Sequence, residues 1–250
     1  MVNNNKFPKI SIVIPVHNEA ENIEFLINKI ENAMINLIPY EIIIINDGSS
    51  DKTHEIIMDF NDQMENLHYI KHKKQSGQSA ALLSGIEASN SDWIVTLDGD
   101  GQNDPNDIKK LLMKRDQIGS DKILLAGYRK KRKDSIYKKI QSKLANTIRS
   151  FLLNDNTPDT GCGIKLFSKK LFLCFPKFNN MHRFLPALAI SYGAKVYSVE
   201  VNHLPRYKGV SHYGLWGRLF AGLIDIFGIL WLKKRLIIRD FPENKSNFND

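Results

Sequence analysis

The chain has 250 residues, of which 42% are hydrophobic and 25% are charged. These proportions are ordinary for a globular fold, and they exclude a disordered chain, a collagen-like repeat and a multi-span membrane protein. With 35 Lys and Arg against 27 Asp and Glu, the formal net charge is +8. That excess indicates an anionic partner: a phosphorylated small molecule, an acidic membrane face or nucleic acid.

The two cysteines, Cys162 and Cys174, are too few for a disulfide framework, and neither has zinc-site spacing. Residues 1–8 carry no apolar segment typical of a secretion signal. We therefore expect a cytoplasmic protein. Nucleic acid is the least favoured partner, because no RNA- or DNA-binding motif accompanies the charge.

Strand-like runs alternate with helical periodicity over the first hundred residues. Short runs rich in β-branched residues predict buried strands at 9–16, 40–46, 67–71 and 93–97. Apolar residues at helical intervals predict helices at 20–35, 52–61 and 80–88. The alternation predicts an α/β fold with a mostly parallel sheet, in which ligands bind beyond the carboxyl ends of the strands.

Beyond residue 122 the pattern is less regular. We predict strands at 123–128 and 194–201, a helix near 168–172, and a helix that ends near Leu153. The simplest organisation is one domain over 9–213, preceded by a tail at 1–8. A C-terminal helix at 214–240 and a disordered tail at 241–250 would follow it.

Polar clusters follow each of the first four predicted strands, and together they predict a site at one edge of the sheet. The cluster at 98–102 reads DGDGQ. If strand geometry continues past Leu97, Asp98, Asp100 and Gln102 point the same way and offer oxygens to Mg²⁺ or Mn²⁺. An EF-hand is excluded by Asn103 and Lys109 at its sixth and twelfth positions. A turn without a ligand is the other interpretation.

Two further loops allow more than one interpretation. The Asp47 carboxylate can accept a hydrogen bond from a nucleobase or ribose, while Ser50 or Asp51 caps the next helix. Gly77 can be the entry to the following helix. The chain contains neither GxxxxGK[ST] nor GxGxxG, so no phosphate loop of those types is predicted.

The ordered motifs resemble those of a known family. They are PVHNE at 15–19, NDGSSD at 46–51, SGQSAA at 76–81, LDGDGQNDP at 97–105 and AGYR at 126–129. This set is similar to the inverting family 2 glycosyltransferases of GT-A fold. TGCGIKLFSKK at 160–170, MHRFLPAL at 181–188 and VNHLPRYKGVSHYG at 201–214 resemble the branch with dolichyl-phosphate mannose synthase and bacterial polyprenyl-phosphate glycosyltransferases.

The resemblance implies a single GT-A domain with a Rossmann-like sheet, and it implies a role for each matching residue. The residues implied to bind the nucleotide-sugar are Pro15, His17, Asn18, Glu19, Asp47, Gly77, Asp98 and Arg129. Those implied to be catalytic are Asp98, Asp100, Asp159, Arg183 and Arg206. Asp100 and Gln102 would hold Mg²⁺ or Mn²⁺, and Arg129, Arg206 and Ser211 would bind the acceptor phosphate. The chain departs from the family at His17, where many members have Tyr, and at His212, where Lys is usual.

The chemistry is consistent with these implied roles. Cleavage of a sugar–diphosphate bond leaves negative charge on the leaving group, which a metal and arginines stabilise. A lipid monophosphate acceptor is largely dianionic at neutral pH and can attack without a strong base. Toward a hydroxyl acceptor, Asp159 could act as the base; its other interpretation is a turn cap beside Thr160.

The segment 214–235 is apolar on a broad surface, and Arg218 and Asp225 make it too interrupted to span a bilayer. It predicts either an amphipathic helix in the membrane interface or a helix in the core or a dimer contact. The basic run 129–133 is either an exposed face or a contact with anionic lipid. A homo-oligomer is left open.

The expected activity is transfer of one sugar from a UDP- or GDP-sugar to a polyprenyl phosphate at the cytoplasmic membrane face. The alternatives are transfer to a glycan hydroxyl, nucleotide-sugar binding without turnover, and a basic membrane-surface adaptor. The set of oxygen ligands Asp98, Asp100 and Gln102 argues against the last two.

Overall fold

The computed structural model describes residues 9–129, 149–150, 152–155, 157–205 and 215–237, with backbone only for 215–223. The chain forms a seven-stranded sheet in this part. Its strands are β1 (Ile10–Val16), β2 (Tyr40–Asn46), β3 (Leu67–Lys71), β4 (Trp93–Thr96), β5 (Ile123–Arg129), β6 (Lys165–Ser168) and β7 (Lys195–Val201). Their order is β3-β2-β1-β4-β6-β5-β7. Only β6 runs antiparallel to its neighbours, β4 and β5, so the mostly parallel α/β sheet is confirmed.

Helices cover the sheet on both faces. They are α1 (Ile23–Met34), α2 (Thr53–Gln63), α3 (Gln78–Ala88), α4 (Ile108–Ile118), α5 (Lys169–Leu173), α6 (Leu185–Ser191) and α7 (Leu215–Lys233). Short 3₁₀ turns lie at Pro105–Asp107 and Met181–Arg183. None of the helices in the described residues is long and apolar enough to cross a membrane.

The predicted strands and helices up to residue 201 that lie in the described part agree with the structure to within a few residues, and β2 and β3 have the predicted bounds. The C-terminal helix ends at Lys233 rather than near the predicted residue 240. Three elements were not predicted. The strand β6 has only four residues, α6 has only seven, and the polar residues of α4 mask its buried Ile108 and Leu111. The predicted helix ending near Leu153 lies mostly outside the described residues, as do the tails.

Two apolar layers pack on the two faces of the sheet. Alternate residues of β1 point to opposite layers: Ile12 and Ile14 pack with α1, and Val13 packs with α3. Burial on both faces explains why the strands read as continuous β-branched runs. The loops that follow β1, β2 and β4 therefore project from one fixed edge.

Candidate active site

The loop after β4 is a turn, and the expected continuation of strand geometry past Leu97 is wrong. The strand ends at Thr96, and Gly101 adopts a φ of +70°. The Asp98 backbone N–H donates to Asn103 Oδ1 at 2.8 Å, and the Gln102 N–H donates to Asp100 Oδ1 at 3.1 Å. The turn, not an alternating strand, determines where these acidic side chains lie.

Asp98 lies in an unfavourable environment for a negative charge. Burial and the neighbouring Asp100 carboxylate raise its pKa to about 6, although Lys165, Arg129 and a 3.0 Å hydrogen bond from Gln78 Nε2 favour the charged form. A divalent cation would relieve the repulsion between the two carboxylates. The Asp98 and Asp100 carboxylates and the Gln102 amide thus fit a cation of the Mg²⁺ or Mn²⁺ type.

The protein alone does not supply a complete set of ligands for the cation. In the described part of the chain, no three His, Cys, Asp or Glu side chains form a group that could hold a metal. Magnesium and manganese usually complete their shell with water and substrate phosphates. A phosphate-bearing ligand would therefore have to share the ion with Asp100 and Gln102.

Asp47 organises the loop before α3. Its carboxylate is 4% exposed and accepts hydrogen bonds from the N–H groups of Ser76 (2.9 Å) and Gly77 (2.7 Å). It also contacts His72 Nδ1 at 2.7 Å, and His72 Nε2 lies 2.9 Å from Ser84 Oγ. The carboxylate thus has three protein partners. Its predicted contact with a nucleobase stays a prediction.

Gly77 lies at the entry to α3, as one of its interpretations predicted. Its φ of +93° is in the region that favours glycine, and a Cβ there would meet nothing within 4 Å. The backbone N–H that it offers to Asp47 thus depends on a conformation that other residues rarely adopt.

The loop after β1 is locked to the loop after β2. Asn18 has a φ of +55°; its N–H donates to Ser49 Oγ, and its Oδ1 accepts from the Ser50 N–H. The Glu19 N–H donates to Thr53 Oγ1 at 2.9 Å. His17 Nδ1 donates to the Asp47 carbonyl at 2.9 Å, and its Nε2 lies 3.4 Å from Asn18 Nδ2.

Asp51 and Pro15 also lie near this edge of the sheet. Asp51 Oδ1 accepts from the Thr53 N–H at 3.0 Å, so Asp51 rather than Ser50 supports the start of α2. Pro15 is buried in β1, and its carbonyl would lie 3.0 Å from a Cβ at Gly99. The absence of that Cβ lets the acidic turn, residues 98–102, pack directly on β1.

Arg129 and Asp159 form a two-pronged ion pair. Arg129 Nε donates to Asp159 Oδ2 at 2.6 Å, and Nη2 donates to Oδ1 at 2.8 Å. Hydrogen bonding and charge from Asp159 outweigh burial, so the pKa of Arg129 is raised. A carboxylate held in this way is a poor proton acceptor, because both of its oxygens are engaged with a cation.

The remaining predicted site residues are only partly described. Arg183 ends the 3₁₀ turn Met181–Arg183 and is half-buried next to His182. Arg206 and Ser211 lie outside the described residues, as does the basic run beyond Arg129.

A cavity of about 100 Å³ lies behind Asp98, and its walls include residues that the sequence analysis missed. These are Gln78, Lys165 and His182. Burial, together with Lys165 and Arg183, lowers the pKa of His182 to about 3, so its ring is neutral. Two features of the sequence could have indicated these residues. Lys165 is the single lysine in the apolar run at 164–167, and Gln78 and His182 lie inside the family motifs at 76–81 and 181–188.

Comparison with known proteins shows which family the chain belongs to. Residues 11–175 match the sequence profile of Glycosyl transferase family 2. A dodecaprenyl-phosphate galacturonate synthase of Rhizobium johnstonii is 30% identical over 90% of this chain and 68% of its own length. An undecaprenyl-phosphate 4-deoxy-4-formamido-L-arabinose transferase of Photorhabdus laumondii is 32% identical over 82% of this chain. The chain covers 63% of that relative, and 80% of the Aeromonas hydrophila protein of the same name.

Solved structures share the fold at low sequence identity. Glucosyl-3-phosphoglycerate synthase from Mycobacterium tuberculosis, in complex with Mn²⁺, UDP and glucosyl-3-phosphoglycerate, superposes with a TM-score of 0.64 at 17% identity. The match covers 93% of this chain and 81% of that one. Staphylococcus aureus TarS 1-349 with UDP-GlcNAc has a TM-score of 0.62 at 17% identity, covering 88% and 66%. These likenesses establish the architecture of the sheet and its flanking helices.

Proposed function

This chain belongs to glycosyl transferase family 2, and we propose that it transfers one sugar, with inversion, from a UDP- or GDP-sugar to a polyprenyl phosphate. The product is a lipid-linked monosaccharide. The observation that carries the proposal is the grouping of Asp98, Asp100 and the Arg129–Asp159 pair at the carboxyl edge of the sheet. The acceptor class comes from the names of the relatives.

The acidic turn supplies the place for the donor diphosphate. Asp100 and Gln102 would hold Mg²⁺ or Mn²⁺, consistent with solved neighbours that contain these ions. When bound, the ion neutralises charge that develops on the leaving nucleoside diphosphate. Asp98, hydrogen-bonded by Gln78, is fixed next to this position and can orient the donor.

Arg129 supplies fixed positive charge near the acidic turn. Its pairing with Asp159 uses two of the five N–H donors of a guanidinium, so three remain beyond the pair. Because Asp159 holds the arginine in one orientation, those donors are preorganised for a phosphate oxygen. We propose Arg183 as a further part of this anion site, and we keep the predicted roles of Arg206 and Ser211, which lie outside the described residues.

Transfer to a glycan hydroxyl is the second candidate within the enzymes. It needs a base to remove the hydroxyl proton, and Asp159 was the candidate for that role. The ion pair with Arg129 disfavours this role, whereas a phosphate acceptor needs no strong base.

We further propose that α7 rests on the cytoplasmic face of the membrane. Its described outer face exposes large apolar side chains: Ile224 (72%), Phe227 (67%) and Trp231 (62%). Its inner face buries Ile226 and Ile229 against the domain. Arg235 lies over the Trp231 ring at 5.8 Å, which places a cation at the end of the apolar face. Such a helix can lie in an anionic interface.

The test is incorporation of radiolabelled sugar into organic-extractable lipid. The assay contains purified protein, Mn²⁺ or Mg²⁺, polyprenyl phosphate and a panel of UDP- and GDP-sugars. Asp100→Ala is run in parallel. Asp92→Ala is the matched control, because Asp92 is an exposed aspartate. We expect labelled lipid with the unchanged chain and Asp92→Ala, and its loss with Asp100→Ala. Nucleotide binding without lipid labelling from any donor would contradict the proposed acceptor.

A further inference from the structure

The cavity behind Asp98 contains groups that the proposed chemistry at the diphosphate does not use. Lys165 and His182 are the unused groups, and Asp98 and residues 160–163 also line the cavity. With a volume of about 100 Å³, it accommodates a small polar group rather than a nucleotide. Because Asp98 is part of its lining, the cavity lies next to the position proposed for the diphosphate and for the group attached to it.

Lys165 is an unusual residue for its position. It lies in β6, in register with Thr96 of β4 and Ala126 of β5, and it is 5% exposed. A buried lysine is costly unless its ammonium is matched by polar groups. Its Nζ donates to the Cys162 carbonyl, and an ammonium has three donors. The Lys165 ammonium therefore has N–H donors in addition to the one that contacts the Cys162 carbonyl, and it lies on the cavity wall.

The cavity walls contain both a hydrogen-bond donor and a hydrogen-bond acceptor. Lys165 can only donate, and the Asp98 carboxylate can only accept. His182 is held by Ser79 Oγ, 2.8 Å from its Nδ1, and its ring carries no charge. A hydroxyl group both donates and accepts, so a donor and an acceptor on one cavity suit a polyhydroxylated ligand better than a second phosphate.

We propose that Lys165 is a binding residue for the transferred sugar, donating from its ammonium to a sugar oxygen in this cavity. The inference rests on the proposed function, because the sugar is placed by the diphosphate at the acidic turn. Lys165 would then contribute to the affinity for the sugar nucleotide but not to that for the nucleotide alone. A purely structural lysine would affect both equally.

The experiment compares two affinities in each variant. Binding of UDP, GDP, UDP-glucose, UDP-glucuronate and GDP-mannose is measured by titration calorimetry with Mn²⁺. Lys165→Met removes the ammonium while keeping a long apolar stem. Lys169→Met is the matched control, since its Nζ also donates to backbone carbonyls, those of Glu87 and Ser89, outside the cavity lining.

We expect Lys165→Met to bind the preferred sugar nucleotide about 10- to 100-fold more weakly, with nucleotide affinity within about 3-fold of the unchanged chain. Lys169→Met should leave both affinities unchanged. Equal losses for nucleotide and sugar nucleotide, or no loss, would overturn the inference.

Two further outcomes are decisive. If Lys165→Met does not fold, Lys165→Gln is measured in the same way, and failure of both variants to fold would show a structural lysine and overturn the inference. If the unchanged chain binds no nucleotide or sugar nucleotide, the proposed function fails and the inference falls with it. Nucleotide binding with an unchanged affinity ratio in the variant contradicts the inference alone.

Discussion

Arg129 at the end of β5 and Asp159 in the loop before β6 are joined by two parallel hydrogen bonds of 2.6 and 2.8 Å. Their side chains are 11% and 8% exposed. The pair links the strand that carries the proposed phosphate-binding arginine to the loop that walls the cavity. Its geometry makes it both a support for the fold and a constraint on the orientation of the arginine.

Asp159→Asn should destabilise the protein by about 3–5 kcal/mol, because it leaves the Arg129 charge buried without its partner. Urea denaturation measures this change. Asp116→Asn is the control: Asp116 is 65% exposed in its pair with Arg115, and its loss should cost less than about 1 kcal/mol. The double variant Arg129→Met, Asp159→Asn should lose less stability than the sum of the single variants; additive losses would contradict this account of the pair.

Gly163→Ala should reduce sugar transfer by tenfold or more. A Cβ at Gly163 would lie 2.2 Å from Asp98 Oδ2 and 2.6 Å from Asn103 Oδ1, so the acidic turn would have to move. Orientation errors of this size are costly in catalysis. The measurement is the rate of labelled-lipid formation.

Gly228→Ala is the matched substitution. A Cβ there meets nothing within 4 Å, and the helix should gain about 0.5–1 kcal/mol without loss of activity. Equal activity of the Gly163 and Gly228 variants would show that Asp98 does not need its present position.

Phe227→Ser together with Trp231→Ser should weaken binding to vesicles of anionic phospholipid by at least tenfold. Each large apolar side chain contributes about 1.5–3 kcal/mol when it leaves water. Sedimentation with vesicles measures the bound fraction. Met113→Ser, on α4, removes a side chain that is 55% exposed and should leave binding unchanged. Undiminished binding of the double variant would remove α7 from the membrane contact.

His182 should make the folded state sensitive to acid. Its pKa is lowered to about 3, against about 6.5 in the unfolded chain, so the unfolded state binds the proton between these values. The neutral ring therefore contributes stability above pH 6.5 that is lost as the pH falls toward 3.

The test compares the unfolding free energy of the unchanged chain with that of His182→Asn at several pH values. As the pH falls from roughly 6 to 4, the unchanged chain should lose about 1.4 kcal/mol of unfolding free energy per pH unit relative to His182→Asn. A constant difference over this interval would contradict a neutral His182 with a lowered pKa.

Local patterns predicted much of the fold and part of the site. The β-branched runs of β1 and β2 are buried on both faces, so their composition alone identifies them as strands. The loops after β1, β2 and β4 could be assigned to one edge because parallel strands end there together. The antiparallel β6 was missed, since four residues are too few for periodicity to distinguish a strand.

The sequence by itself determined the mostly parallel sheet and the motifs that place the chain in its family. Only the tertiary structure decided which side chains meet. Arg129 and Asp159 are 30 positions apart, and Ser79 and His182 are 103 positions apart. The tertiary structure also gives the acidic turn a conformation other than that of a strand, and it places Lys165 on the cavity wall. Such contacts depend on how strands and loops cross in space, whereas periodicity reports only which face of an element is buried.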